Sequence, residues 1–270
     1  MKLLTSNTPI EKHRCGKRDV HVKREDLCCD GPSFSKLRGV AAHIQVRSEG
    51  TIGVLDTFHS RAGWGVAHLC RALSRRAVVF YPVYKGDLLI RGNQLKAREL
   101  GADIRGLTAG RSCILYHRAK KDLAEQYHDG YMLPNALKCP ETIEETAKEV
   151  MTVPERFMKD TLWVVSISSG TIAAGVYLGL VQRKARVGLL LHEGYSRPEK
   201  SVIDYVTKYT PDQGHVMMSV VDEGYEYKQA AAGVAPFPCN RYYDLKAWRW
   251  LERNGSLSNY SKIMFWNIGA

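Results

Sequence analysis

The 270-residue sequence lacks most features that assign a chain to a class at sight. Its seven cysteines are an odd number and form no C-x-x-C pair. The neighbours Cys28 and Cys29 cannot close an ordinary disulfide with each other, so reduced thiols and no zinc site are expected. No apolar run approaches the ~20 residues that span a bilayer. The opening MKLLTSNTPIEKHR offers two adjacent leucines before polar residues, too little for a secretory signal, so a cytoplasmic protein with no membrane partner is expected. There is no internal repeat, low-complexity tract or long Gly/Ser linker, which excludes loosely tethered domains. Acidic residues are scarce: 28 Asp and Glu face 39 Lys and Arg, for a formal charge of +11. That excess suits a polyanionic partner such as nucleic acid, although a solvated basic surface gives the same count.

What is present is ordinary for a folded enzyme-sized chain. A hydrophobic fraction of 44% and a charged fraction of 25% exclude a mostly disordered protein. The length accommodates one large α/β domain or two modest ones packed together. The apolar runs TIGVL (51–55), AVVFYPV (77–83), LWVVSIS (162–168) and RVGLLLH (186–192) read as buried strands. Helix-like segments fall at 61–74, 92–101, 112–127, 141–151 and 171–183. Alternation of the two predicts parallel sheets covered by helices. Pro134 and Pro140 bracket a loop, and ETIEETAKEV after it opens a helix with acids in its first turn, a natural return point between two domains.

The most informative local pattern is WVVSISSGTIAAGV, where an apolar strand runs into Ser168, Ser169, Gly170, Thr171 and Ile172 and then into small residues. A Ser/Gly/Thr turn at a helix N-terminus exposes several backbone N–H groups and adds hydroxyl donors, which together suit a phosphate. A plain strand-to-helix turn with a hydroxyl cap has the same sequence. No Gly-Lys-Ser/Thr follows and no G-x-G-x-x-G is present there, so a nucleotide cofactor loses ground.

Together with TPIEK, VKREDLC, SKLRGV (35–40), DTFHSRAG (56–63), YYDLKAW (242–248) and the final FWNIGA, this turn resembles one family in its order along the chain. That family is the pyridoxal 5'-phosphate (PLP) enzymes of fold type II that include 1-aminocyclopropane-1-carboxylate deaminase and D-cysteine desulfhydrase. The resemblance implies an α/β chain of two domains with parallel-rich twisted sheets flanked by helices. A large PLP-binding domain would comprise 1–47 and 136–270, and a small α/β domain 48–135. Lys36 matches the family's Schiff-base lysine, with Ser35 in place of an Asn, and a neutral amine there serves as the nucleophile toward the cofactor. YYDLKAW resembles the family's V-Y-E-G-K stretch, which would set Tyr243 beside the cofactor and Asp244 near its ring nitrogen. A carboxylate there keeps the nitrogen protonated and deepens the electron sink.

The family's S-N-Q-T-R motif corresponds here to Thr57, Phe58, His59, Ser60 and Arg61; the resemblance implies that Thr57, which keeps the hydroxyl, acts in catalysis with Lys36 and Tyr243, and that Thr57 to Ser60 bind the substrate. Phe58 replaces an amide that helps to bind a free amino-acid carboxylate. An apolar wall beside that carboxylate would desolvate it and favour its loss as CO₂. Three readings stay open: a lyase or deaminase of small amino acids, a decarboxylase or lyase acting on an amino acid attached to a modified base in DNA, as in the hypermodified thymidines of large phages, and a non-catalytic PLP- or nucleic-acid-binding protein. A phage origin would place the enzyme in the host cytoplasm, and a homodimer is expected from the fold. His192, next to a strand end, reads as a core histidine or a lining residue, and at least two of Trp248, Trp250 and Trp266 are expected in the core.

Overall fold

A parallel strand covered on both faces must be apolar along its whole length. Thr51–Leu55 meets this requirement, being buried at every position, and Arg186–Glu193 at every position after its first. A computed structural model of the chain describes residues 4–57, 60–85, 90, 92–210, 214–255 and 259–269. In chain order the elements are β1 (Ile10–Cys15), β2 (Arg18–Arg24), α1 (Leu37–Gln45), β3 (Thr51–Leu55), α2 (Ala62–Ala72), β4 (Arg76–Val83), α3 (Gly92–Glu99), β5 (Asp103–Thr108), α4 (Ser112–Gln126), β6 (Gly130–Met132), α5 (Pro140–Met151), β7 (Lys159–Ile167), α6 (Thr171–Gln182), β8 (Arg186–Glu193), α7 (Glu199–Thr207), β9 (Met217–Val221), α8 (Asp244–Asn254) and β10 (Lys262–Asn267). The strands and helices expected from the sequence end within about three residues of these bounds.

The chain divides into two compact units, one of Val40–Glu141 and one of Leu4–Gly39 with the chain from Thr142 onward. The first holds a sheet ordered β5-β4-β3-β6, all pairs parallel. Its core gathers Leu55, Val78, Phe80, Leu115, Leu123 and Met132. The second holds a sheet ordered β1-β2-β10-β7-β8-β9, parallel except for the β1–β2 hairpin. One face of this sheet carries Trp163 stacked on Trp266 at 5.9 Å, and the other carries Trp248 edge-on to Phe265. Trp248 and Trp266 are fully buried and Trp250 is half-buried, so two of the three tryptophans do fill the core.

The small residues after the Ser/Gly/Thr turn serve helix packing. A Cβ on Gly175 would lie 2.5 Å from the Thr146 side chain, and one on Gly179 2.6 Å from Val150, so α6 lies directly against α5. In the larger unit β2, β7, β8 and β10 run parallel, which brings their C-terminal ends to one edge of the sheet. Ligand sites of open α/β sheets form at that edge.

Candidate active site

Lys36 lies in the turn directly before α1, and the end of β10 holds that turn. The Ser35 backbone N–H donates to the Ile268 carbonyl at 2.7 Å, its hydroxyl donates to the same oxygen at 3.1 Å, and Phe34 bridges to Gly269. Lys36 is half-buried, and its Nζ donates to Ser169 Oγ at 2.9 Å. The amine therefore sits against the turn that the sequence marked for phosphate.

Two residues further on, buried Arg38 anchors the start of α1. Its guanidinium donates to the Glu25 carboxylate and to the Thr5 carbonyl, the latter at 2.8 Å, and lies 3.7 Å from Glu149. Glu149 pairs with Lys23 at 2.6 Å and accepts the backbone N–H groups of Asn7 (3.0 Å) and Thr8 (2.8 Å). The Thr8 hydroxyl donates to Glu25. TPIEK, VKREDLC and SKLRGV thus converge in one buried network, which works only while each charge keeps its partner. Sequence reasoning singled out neither Arg38 nor Glu149, since nothing local distinguishes a buried charge from a solvated one.

After β7 the chain turns through Ser168, Ser169 and Gly170. Gly170 has φ 87°, in the left-handed region, and a Cβ on it would lie 2.7 Å from the Tyr205 ring. Both the backbone conformation and the space call for glycine. Gly170 is the N-cap of α6 and has no side chain to cap it; the Thr171 N–H donates to Ser169 Oγ at 3.5 Å, and the rest of the first turn can face an acceptor without a cap from Gly170. Thr171 and Ile172 open the helix and are buried. Ser169 Oγ lies 3.1 Å from Thr171 Oγ1, which lies 3.3 Å from the Tyr205 hydroxyl. First-turn N–H donors and two hydroxyls make a cradle for a phosphate dianion.

Asp244 begins α8 and is fully buried, not exposed on an amphipathic helix. One oxygen accepts the Ile268 N–H at 3.3 Å, and the other has no partner among the described residues. Burial, with Asp26 nearby, pushes its pKa up to about 8. One residue, Ile268, therefore holds the Lys36 turn by its carbonyl oxygen and Asp244 by its N–H. An orphaned buried carboxylate oxygen is the partner that a protonated ring nitrogen needs, so the residues present fit the cofactor implied by the resemblance.

Tyr243 is half-buried, with Ser168 and Tyr227 near its hydroxyl, and burial pushes that hydroxyl's pKa up. Gly194 follows β8 and donates its N–H to the Ile167 carbonyl at 2.9 Å. A Cβ on Gly194 would lie 2.7 Å from the Tyr243 ring, so the glycine makes room for that tyrosine. Buried Lys246 donates to the Gly194 carbonyl, with its Nζ 4.4 Å from the centre of the Tyr225 ring, and burial pushes its pKa down to about 8. Gly194 and Lys246 also escaped sequence reasoning, although a glycine just after a largely apolar strand was a usable signal. His192 lies in β8 with Nε2 3.0 Å from Glu223, its ring tilted against Trp250, and its Nδ1 unpartnered among the described residues.

Thr57 and Ser60 belong to the other unit. The Thr57 N–H donates to Asp56 Oδ1 at 2.8 Å, and Ser60 Oγ accepts the Ala62 N–H at 2.9 Å at the start of α2. Buried Asp56 also accepts from Gln94 at 3.1 Å, and burial pushes its pKa up to about 6. Phe58 and His59 lie outside the described residues.

Comparison with known proteins places these observations in a family. A family model described as pyridoxal-phosphate dependent enzyme matches residues 1–213. The chain is 48% identical over 278 aligned positions, covering 99% of it and 100% of the relative, to a "Glycyl-dTMP PLP-dependent decarboxylase" of Pseudomonas phage M6. Among solved structures it is similar to an ACC deaminase homologue, with a TM-score of 0.81 and 21% identity over 100% of this chain and 91% of that one. It is also similar to an O-acetylserine dependent cystathionine beta-synthase from Helicobacter pylori, with a TM-score of 0.65 and 16% identity over 97% and 92%. At these identities the two structures establish the fold alone.

Proposed function

The chain belongs to the pyridoxal-phosphate-dependent enzymes, and from that premise we propose that it decarboxylates an amino acid carried on a thymidine nucleotide. The observation that carries this reading is the 48% identity, along the whole chain, to a phage decarboxylase of glycyl-dTMP. Bound pyridoxal phosphate supplies an electron sink for the pair left behind when a bond at the substrate's α-carbon breaks. Lys36 holds the cofactor covalently. The α6 N-terminus, with Ser168, Ser169, Thr171 and the Ile172 N–H, takes the phosphate. Asp244 holds a proton on the ring nitrogen, and Tyr243 lies beside the ring.

In the reaction the bond from the α-carbon to the carboxyl carbon breaks, CO₂ leaves, and one proton takes its place on the α-carbon. Lys36 Nζ, positioned by Ser169, moves that proton. Thr57, Phe58, His59 and Ser60 are the candidate substrate-binding residues, Phe58 and His59 lying outside the described residues. Phe58 desolvates the departing carboxylate where the resembling family has an amide.

Charge supports a polynucleotide substrate. Val40–Glu141 holds 15 Lys and Arg against 9 Asp and Glu, so fewer than half of the residues carry +6 of the +11. Such a surface binds phosphates without regard to sequence and loses its grip as salt rises. Among the described residues no helix is long and apolar enough to cross a membrane. The phage origin of the relative supports action in the host cytoplasm.

The test is CO₂ release by purified, cofactor-loaded enzyme from glycyl-dTMP, offered free and within DNA. Release from either supports the proposal. The reading is overturned if neither yields CO₂, and ammonia with 2-oxo acid from D-cysteine, D-serine or aminocyclopropane carboxylate would establish the lyase or deaminase reading in its place.

A further inference from the structure

On the unit that carries Lys36, a line of aromatic rings leads outward from Ser168. The Tyr243 ring packs over Gly194, where a Cβ would come within 2.7 Å of it, and Tyr195 is the next residue. Tyr227 meets Tyr195 edge to face, with ring centres 5.1 Å apart at 82°. The Arg197 guanidinium lies 5.6 Å from the centre of the Tyr195 ring. Tyr243 and Tyr195 are half-buried, while Tyr227 is 40% exposed.

Two loops carry these rings, one after β8 and one after β9, and they are tied together. The Ser196 N–H donates to the Tyr225 carbonyl at 3.0 Å, and the Ser196 hydroxyl donates to Asp222 at 2.7 Å. Aromatic side chains that only fill a core are covered on both faces, as Trp163 and Trp266 are. A tyrosine pair held at strand ends, one ring exposed and the other under a guanidinium, is instead the equipment that stacks on a planar base. Chemistry at an α-carbon needs no aromatic ring beyond the one next to the cofactor, so the two outer rings call for a larger substrate.

We propose that Tyr195 and Tyr227 form a subsite for the pyrimidine ring that bears the amino acid, with Arg197 at its edge facing the nucleotide's phosphate. This deepens the decarboxylase reading and rests on it. Stacking contributes to substrate binding and is the same before and after the bond breaks, so it acts on KM.

The experiment uses cofactor-loaded enzyme and glycyl-dTMP. Tyr195→Leu and Tyr227→Leu are each expected to raise KM about tenfold, or ~1.4 kcal/mol, with kcat and cofactor absorbance within twofold of the parent. Tyr195→Phe keeps the ring and is expected to retain the parent KM. The subsite is overturned if both leucine variants keep KM within twofold, or if Tyr195→Phe is as damaged as Tyr195→Leu.

Should the parent enzyme release no CO₂, the decarboxylase reading fails, and calorimetric titration with dTMP decides the subsite by itself. Binding that the leucine variants weaken supports it, whereas no binding, or equal binding in the variants, overturns it. Titration with a short thymidine oligonucleotide separates the two sources of the ring. Tighter, salt-sensitive binding that still depends on Tyr195 and Tyr227 assigns the subsite to a base in a strand. Tighter binding that ignores both tyrosines overturns it.

Discussion

Replacing Asp244 with asparagine is expected to stabilise the cofactor-free enzyme while crippling the loaded one. Without cofactor, Asp244 is fully buried, one oxygen lacks a partner among the described residues, and its pKa stands at about 8 against an ordinary 3.8. A carboxyl group whose pKa is raised in the folded state contributes stability that is fully present below pH 3.8 and is lost as the pH rises through about 8. At ~1.36 kcal/mol for each pH unit between 3.8 and 7, the loss at neutrality reaches at most about 4 kcal/mol. Asparagine keeps the shape and the acceptor for the Ile268 N–H but carries no charge, so this loss disappears. Apoenzyme of Asp244→Asn should therefore melt several degrees above the parent at pH 7, where ~1 kcal/mol is worth about 2–4 °C for a chain of this size, and match it near pH 4. Cofactor reverses the order. A protonated ring nitrogen gives the carboxylate its missing partner, so the parent should gain more from pyridoxal phosphate than the variant, and the variant's kcat should fall by about 10²-fold or more. Melting curves of both proteins, with and without cofactor, from pH 4 to pH 9 are the assay. The reasoning fails if the asparagine apoenzyme is less stable than the parent at pH 7, or if cofactor stabilises both equally.

Lys36→Ala should abolish CO₂ release and the visible absorbance of bound cofactor, and a retained absorbance band would remove the assigned role. Arg38→Met leaves Glu25 and Glu149 buried beside a lost cation and should cost about 3–5 kcal/mol in urea unfolding. A cost under ~1 kcal/mol would show that the network is not held by its charges. In Gly194→Ala the added methyl would come 2.7 Å from the Tyr243 ring, so activity should drop at least about tenfold with a stability loss of about 1–3 kcal/mol. Wild-type activity there would mean that Tyr243 moves freely. DNA retention should fall by orders of magnitude between about 50 and 200 mM salt, and filter binding that is flat with salt would rule out phosphate contacts by the basic surface.

Much of the architecture was legible because the central strands are short, largely apolar runs. TIGVL, AVVFYPV and RVGLLLH admit few other readings. The strands that escaped notice lie at the margins of the sheets or carry charge: β1 (IEKHRC) and β2 (RDVHVKR) hide in a basic stretch, and β5 (DIRGLT) and β9 (MMSVV) are half-exposed edges. Local pattern reports burial on two faces well and on one face poorly.

For the site, sequence by itself determined the chemistry on offer. A Ser-Ser-Gly-Thr turn at a helix start can hold a phosphate because backbone N–H groups and hydroxyls are local properties, and Gly170 was required at its φ whatever surrounded it. Lys36 was one lysine among many until a family resemblance singled it out. Only the tertiary structure decided that its amine meets Ser169, that residues more than 200 positions apart share Ile268, and that Asp244 is sealed from water with one oxygen unsatisfied. Burial and pairing are relations between distant segments, and a carboxylate's pKa follows those relations, not its neighbours in the chain.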